Sequence, residues 1–364
     1  MGDTIRALGM MSGTSLDGID AALIHTDGER VKLRGSWLTV PYTREMYERL
    51  RAAMEGEGDM LALERDLTLL HAEVVAELLK KASLKPVDVS VIGFHGQTII
   101  HRPKQGITWQ MGNGALLAEK TGISVVADFR RRDVAAGGEG APLVPLYHAA
   151  LAMELELPVA VLNLGGIGNV TWIGRSEARS KSVMAHDILA FDTGPGNVLL
   201  NEWMERTLGE EYDKDGEHAL AGQVDVTALA AYLAHPFFHA APPKSLDRHD
   251  FNLAQIEHLC VEDGAATLVA FTAESVARAA VHFPVPAKRW LVCGGGRHNP
   301  AIMQALRERL PHIEPVEAVG WEGDALEAQA FAYLAVRSMK GQPLSLPTTT
   351  GVSRIVTGGA LYQA

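Results

Sequence analysis

Three glycine-rich turns in this chain each follow an apolar, strand-like run: Ser12-Gly-Thr-Ser-Leu-Asp-Gly18, Gly165-Gly-Ile-Gly-Asn169 and Gly294-Gly-Gly296. Glycine lets the backbone turn tightly and come close to a ligand, so several N–H groups can converge on phosphate oxygens. One such turn alone reads as a hairpin or a strand-to-helix connection; three at strand ends point to phosphate binding. None contains G-x-x-x-x-G-K-[ST], and none is a G-x-G-x-x-G opening a Rossmann unit. The chemistry called for is therefore phosphate binding without a P-loop lysine.

Two carboxylates stand out beside these turns. Asp17 lies next to Thr14 and Ser15, where it reads either as a magnesium-side carboxylate acting through water or as an Asx-turn residue. Asp192 follows an apolar run and precedes a turn and a helix, with Pro195 near the helix start. That is the carboxyl edge of a sheet, where α/β ligand sites gather. A nearby helix N-terminus favours the ionised form that a general base needs, and a plain N-cap is the competing reading. His95, Gln97, Gln110 and Asn113 cluster near strand and helix ends, where they could bond sugar hydroxyls or an amide; each alone is equally a satisfied polar residue. Arg130-Arg131-Arg132 reads as a solvated loop or a local anion site. Glu327 sits among alanines, in Glu-Ala-Gln-Ala-Phe-Ala-Tyr, whose small side chains allow another element to approach closely.

The elements that must hold these residues alternate between strands and helices. Residues 6–11 and 19–25 read as a hairpin around the first turn, and 159–164 with 170–173 as a second hairpin about 150 residues on. This weak internal repeat suggests a duplicated domain. Leu61 to Lys81 is the longest helical run, with Leu63, Leu67, Leu70, Val74 and Leu78 at three- and four-residue steps. Val87 to Phe94 reads as a strand ending in His95-Gly-Gln-Thr, Ile123 to Asp128 as a strand ending in the arginines, and 188–191 as a short strand before a helix from Asn197. A helix at 265–282, a strand at 290–293, a helix from about Asn299 and a last helix over about 324–338 complete a mixed-sheet α/β pattern. With 364 residues, two domains are expected, 1–150 and 151–364, divided near Pro142, Pro145 and Pro158.

Composition narrows the partners. Hydrophobic residues make up 47% and charged residues 21%, as in ordinary globular proteins. The net charge is −11, and nothing supplies the basic face of a nucleic-acid binder. No apolar stretch has membrane-spanning length, and the sequence after Met1 lacks a secretory pattern. Cys260 and Cys293 alone argue against a disulfide framework or a zinc site, so a cytoplasmic location is expected.

With these residues laid out, the chain closely resembles the anhydro-N-acetylmuramic acid kinases, of the sugar-kinase/actin/Hsp70 superfamily. The resemblance rests on Met10-Met-Ser-Gly-Thr-Ser-Leu-Asp-Gly-Ile-Asp20, His95-Gly-Gln-Thr98, Gln110-Met-Gly-Asn113, Asp128-Phe-Arg-Arg-Arg-Asp-Val-Ala-Ala-Gly-Gly138, Asn163-Leu-Gly-Gly166, Phe191-Asp-Thr-Gly-Pro-Gly-Asn197 and Cys293-Gly-Gly-Gly296, in that order along essentially the whole chain. One block departs: Pro243-Lys-Ser-Leu-Asp-Arg-His-Asp-Phe251 stands where the family reads closer to Pro-Lys-Ser-Thr-Gly-Arg-Glu. That puts details of a substrate-side loop in doubt.

The resemblance implies an actin-like ATPase fold, ribonuclease H-like, of two lobes with a nucleotide cleft between them. It implies ATP and Mg²⁺, with Asp17 on the metal side. Gly13, Thr14, Ser15, Leu16, Asp17, Gly18, Ile19, Asp20, Gly165, Gly166, Asn169, Gly294, Gly295, Gly296 and Asn299 would surround the nucleotide. It also implies that water opens a 1,6-anhydro bridge at C1 while O6 takes the γ-phosphoryl group, with Asp192 as the base. His95, Gln97, Gln110, Asn113, Asp128, Arg130 and Glu327 would line the sugar site, and an arginine of 130–132 would suit a lactyl carboxylate. A homodimer is the expected assembly. The rival readings are another phosphotransferase or phosphohydrolase on this fold, which a substrate panel would separate, and a nucleotide-gated sensor, which would have no need of Asp192.

Overall fold

The computed structural model describes residues 3–13, 15–175, 186–246 and 250–364. Thr14, and Asp247, Arg248 and His249 of the 243–251 block, lie outside the described residues. The strands are β1 (Ile5–Ser12), β2 (Gly18–Thr26), β3 (Val31–Pro41), β4 (Val91–Arg102), β5 (Ile107–Met111), β6 (Val125–Ala127), β7 (Val159–Leu164), β8 (Ile167–Arg175), β9 (His186–Pro195), β10 (Arg289–Cys293), β11 (Ile313–Pro315) and β12 (Ala360–Tyr362). The helices are α1 (Arg44–Met54), α2 (Met60–Lys81), α3 (Gly114–Thr121), α4 (Arg131–Ala135), α5 (Pro145–Ala152), α6 (Val198–Leu208), α7 (Glu217–Ala221), α8 (Val226–Leu233), α9 (Val261–Ala279), α10 (Pro300–Arg307), α11 (Leu326–Met339) and α12 (Pro347–Thr350). None is long and apolar enough to cross a membrane.

The chain divides into two compact units, residues 3–153 with 325–364, and residues 154–175 with 186–324. The first unit holds one sheet in the order β12-β6-β4-β1-β2-β3, with β5 also paired to β4. The second holds β11-β10-β7-β8-β9. In each, an antiparallel meander of three strands is extended from its first strand by two successive parallel strands. One plan is thus used twice, a duplicated mixed-sheet α/β fold, and each copy opens with a hairpin around a glycine turn.

Residues 325–364, assigned above to the second lobe, pack in the first unit instead. The reason lies in β1, where side chains alternate between faces. Leu8 and Met10 join Val74, Val75 and Leu78 of α2 in one core. Gly9 points the other way, beside Gly93 of β4 in the parallel register. A Cβ on Gly9 would strike the Ala328 carbonyl, and one on Gly93 the Phe331 carbonyl. Two adjacent glycines therefore let α11 lie directly on the strand backbones, with Ala22 and Ala325 filling the edge.

Two boundaries differ from expectation. β4 begins at Val91, because Pro86–Asp88 forms a 3₁₀ turn that leaves Val87 88% exposed. It then runs on through His95 and Gln97, since Ser12 and Met111 flank Gln97 in register on either side. β9 likewise extends through Asp192 to Pro195, paired along β8.

Burial has one measurable consequence. His71 and His148 are buried, and burial lowers them from 6.5 to about 4 and about 3. Both stay neutral in the fold, whereas the unfolded chain takes up protons below about 6.5. Stability is then fully present above pH 6.5 and is lost as pH falls, on the order of 2 kcal/mol for each histidine by pH 5. Urea unfolding at pH 7.5, 6 and 5 is expected to show this slope; equal stability across the range would contradict it.

Candidate active site

In the first unit, the turn after β1 is held by its own backbone and by β4. Leu16 N–H donates to the Gly13 carbonyl at 3.3 Å, with Leu16 in the left-handed region at φ 58°. Gln97 Nε2 donates to the same carbonyl at 2.9 Å. Gln97, expected on the sugar side, has no exposed surface and in this structure holds the turn. Asp17 and Ser15 are exposed at the turn, while Ile19 is buried in the core behind it. Asp20 accepts from Thr39 Oγ1 of the neighbouring strand at 2.5 Å.

The expected sugar-side residues of this unit fall into two groups. His95, Arg130 and Glu327 come together. His95 Nδ1 lies 2.6 Å from the Gly96 carbonyl, so it donates there, and Nε2 accepts from Arg130 Nε at 2.9 Å. Burial, then the Arg130 guanidinium, holds His95 well below 6.5, so it is an acceptor rather than an acid at neutral pH. Arg130 also donates to the Gly140 carbonyl at 2.7 Å and lies over the Phe331 ring. Burial lowers Arg130 to about 10, opposed by the Glu327 and Asp133 carboxylates, so the charge persists. Far from being a solvated loop, the arginine run thus sends its first member inward, while Arg131 and Arg132 on α4 are exposed. Asp128, at φ 60°, pairs with Arg131 at 3.5 Å.

Gln110 and Asn113 form the second group. Gln110 Nε2 donates to Thr108 Oγ1 at 2.9 Å, and its Oε1 is buried without a hydrogen-bond partner among the described residues. Asn113 caps α3, accepting from Leu116 N–H at 2.9 Å.

In the second unit, three strand ends converge. Asn163, Asn169 and Asp192 are register partners across β7, β8 and β9, which puts their side chains on one face. Asp192 is half-buried inside β9 and is not an N-cap; Asn197 occupies that position for α6. A backbone strap orients it, the Leu246 N–H donating to Asp192 Oδ2 at 2.9 Å and Asp192 N–H donating to the Lys244 carbonyl at 3.0 Å. Lys244 anchors that strap from beneath, its Nζ 3.0 Å from the Phe237 carbonyl and 4.4 Å from the Phe237 ring centre.

Asn197 links the second and third glycine turns. Its Nδ2 donates to the Leu164 carbonyl at 3.1 Å and its N–H to the Gly165 carbonyl at 2.8 Å. Its Oδ1 lies only 2.8 Å from where a Gly296 Cβ would stand. Gly294 turns at φ 76°, and Arg297, with 3% of its side chain exposed, grips the Gly294 carbonyl, Glu317 and Asp324 at 2.8–3.0 Å. Asn299, expected near the nucleotide, caps α10 and donates to the Asp213 carbonyl. Sequence reasoning missed Lys244, Arg297 and the strap. The signals were the reading of 243–251 as a substrate-side loop and the position of Arg297 directly after three glycines.

The family model for anhydro-N-acetylmuramic acid kinase matches residues 5–364. A relative of that name from Rhodospirillum rubrum is 54% identical over 366 residues, covering 99% of this chain and 95% of its own. Another, from Paramagnetospirillum magneticum, is 54% identical over 357 residues, covering 97% and 98%. Among solved structures, a ROK family glucokinase from Streptomyces griseus in complex with glucose and AMPPNP covers 91% of this chain and 99% of its own at 14% identity and a TM-score of 0.40. A match over almost the full length, with half the residues identical in relatives of one name, leaves one conclusion: the chain belongs to the anhydro-N-acetylmuramic acid kinase family.

Proposed function

We propose that this protein uses ATP to convert 1,6-anhydro-N-acetylmuramic acid to N-acetylmuramic acid 6-phosphate, a step in cell-wall (peptidoglycan) recycling. The observation that carries the reading is the family match over residues 5–364. O6 of this sugar is locked in the anhydro bridge, so it can accept a phosphoryl group only as the C1–O6 bond breaks. Asp192 takes a proton from water as the water oxygen bonds to C1. The released O6 takes the γ-phosphoryl group, and ADP leaves. The strap from Leu246 suits this role by orienting the carboxylate before substrate arrives.

The glycine turn at 13–17 of the first unit is read as a phosphate contact, and the turns at 165–166 and 294–296 of the second, fixed by Asn197 and Arg297, as nucleotide contacts. Among the described residues no cluster of three or more His, Cys, Asp or Glu forms a metal cage. Mg²⁺ needs none, because it binds through one or two carboxylates, waters and substrate phosphates. The hard oxygens of Asp17 and Ser15 fit that donor set, and the ion would there neutralise phosphate charge. On the sugar side, Arg130, held by His95 and Gly140, supplies the cation for the lactyl carboxylate, and Gln110 Oε1 an acceptor for a hydroxyl or amide N–H. A cytoplasmic homodimer completes the reading.

The test is turnover in ¹⁸O-labelled water with prompt analysis of the product. The sugar phosphate is expected to carry the label at C1 and none on phosphorus. Label on the phosphate would mean that water attacks ATP first, and ATP use with ordinary hexoses but not the anhydro sugar would favour a simple hexose kinase.

A further inference from the structure

Helix α2 carries Glu64, Thr68 and His71 four and three residues apart, the spacing that stacks side chains along one helical face. None belongs to the machinery described above. His71 is wholly buried, with Nδ1 2.8 Å from the Leu67 carbonyl and Nε2 2.8 Å from Ser12 Oγ. A carbonyl oxygen only accepts, so Nδ1 carries the proton and Nε2 accepts from the Ser12 hydroxyl. Ser12 ends β1 immediately before Gly13, whose carbonyl Gln97 holds from β4. Tyr42 stands beside this second support, its hydroxyl donating to Gln97 Oε1 at 3.5 Å. On the same face of α2, the Thr68 hydroxyl donates to the Glu64 carbonyl at 2.6 Å and accepts from Asn113 N–H at 3.1 Å. The Glu64 carboxylate accepts from Gly112 N–H at 3.2 Å. One face of a single capped helix therefore grips two separate segments.

We propose that Glu64, Thr68 and His71 are positioning residues for the reaction, His71 setting the nucleotide turn through Ser12, and Thr68 with Glu64 setting the sugar-side segment 110–113. This rests on the assignment of ATP to the 13–17 turn and of the sugar to 110–113. Ligand groups must be held closely to be productive, and a turn rich in small residues gains that rigidity from a buried partner on a helix.

Steady-state kinetics with ATP and 1,6-anhydro-N-acetylmuramic acid separate the two arms. Ser12→Ala leaves His71 Nε2 without its donor and is expected to raise KM for ATP about tenfold, the scale of one buried hydrogen bond, with the sugar KM changed less than about twofold. Thr68→Val strips Asn113 N–H of its acceptor and is expected to do the reverse, and Thr68→Ser to restore the sugar KM. If Ser12→Ala folds poorly, His71→Phe and His71→Gln read the same arm: only the glutamine offers an oxygen to Ser12, so it alone keeps the ATP KM low. Variants that move both constants equally, or neither, overturn the proposal and leave α2 a purely structural helix. An unchanged ATP KM in Asp17→Asn fails at a different point, because it removes the nucleotide from the turn itself.

Discussion

Asp192→Asn is expected to lower turnover by about 10²–10⁴, the usual worth of a positioned general base. The amide keeps the shape of the carboxylate and an oxygen to accept from Leu246 N–H, so ATP and sugar should still bind within several-fold. Loss of turnover without loss of binding is the mark of a group that acts on water rather than one that holds a ligand. Calorimetry for each ligand, with single-turnover formation of sugar phosphate, makes the distinction. Near-normal turnover would remove Asp192 from the base role. A parallel loss of sugar affinity would mean that the carboxylate binds substrate.

The second large effect concerns stability. Gly9→Val and Gly93→Val are each expected to destabilise the first unit by about 3 kcal/mol or more, at the upper end for overpacking a core. The added Cβ meets backbone carbonyls of Ala328 and Phe331, not the ends of flexible side chains, so relief requires moving α11 off the sheet. Gly56→Ala serves as the contrast, since a Cβ there meets nothing within 4 Å. It carries only the strain of its left-handed backbone at φ 87°. Denaturant unfolding monitored by circular dichroism ranks the three. Similar midpoints for Gly9→Val and Gly56→Ala would mean that α11 does not lie on the strands as described.

Several features were legible because they depend on short stretches of chain. The 3.6-residue repeat of Leu63, Leu67, Val74 and Leu78 names the buried face of α2, and Asp59 caps its start. The two strand–glycine turn–strand patterns were legible for the same reason: each is a hairpin closed within some twenty residues. The alanines around Glu327 announced that something approaches α11 closely.

What approaches it could not be read, because Gly9 and Gly93 lie hundreds of residues away and become neighbours only through parallel pairing of β1 and β4. The same limit applies to the site. Asp192 drew attention by its type and place, yet the groups that orient it come from 244–246, some fifty residues further along the chain. Gln97 drew attention as a possible ligand, and only the pairing of β4 with both β1 and β5 shows that it is buried and holds the Gly13 carbonyl. His71 lies on the buried face of α2, and only the fold shows Ser12 donating to it. Local sequence thus determined which residues could turn, cap, bury or ionise. Tertiary structure decided which of them meet, since a hydrogen bond acts over about 3 Å while its partners here stand tens of residues apart.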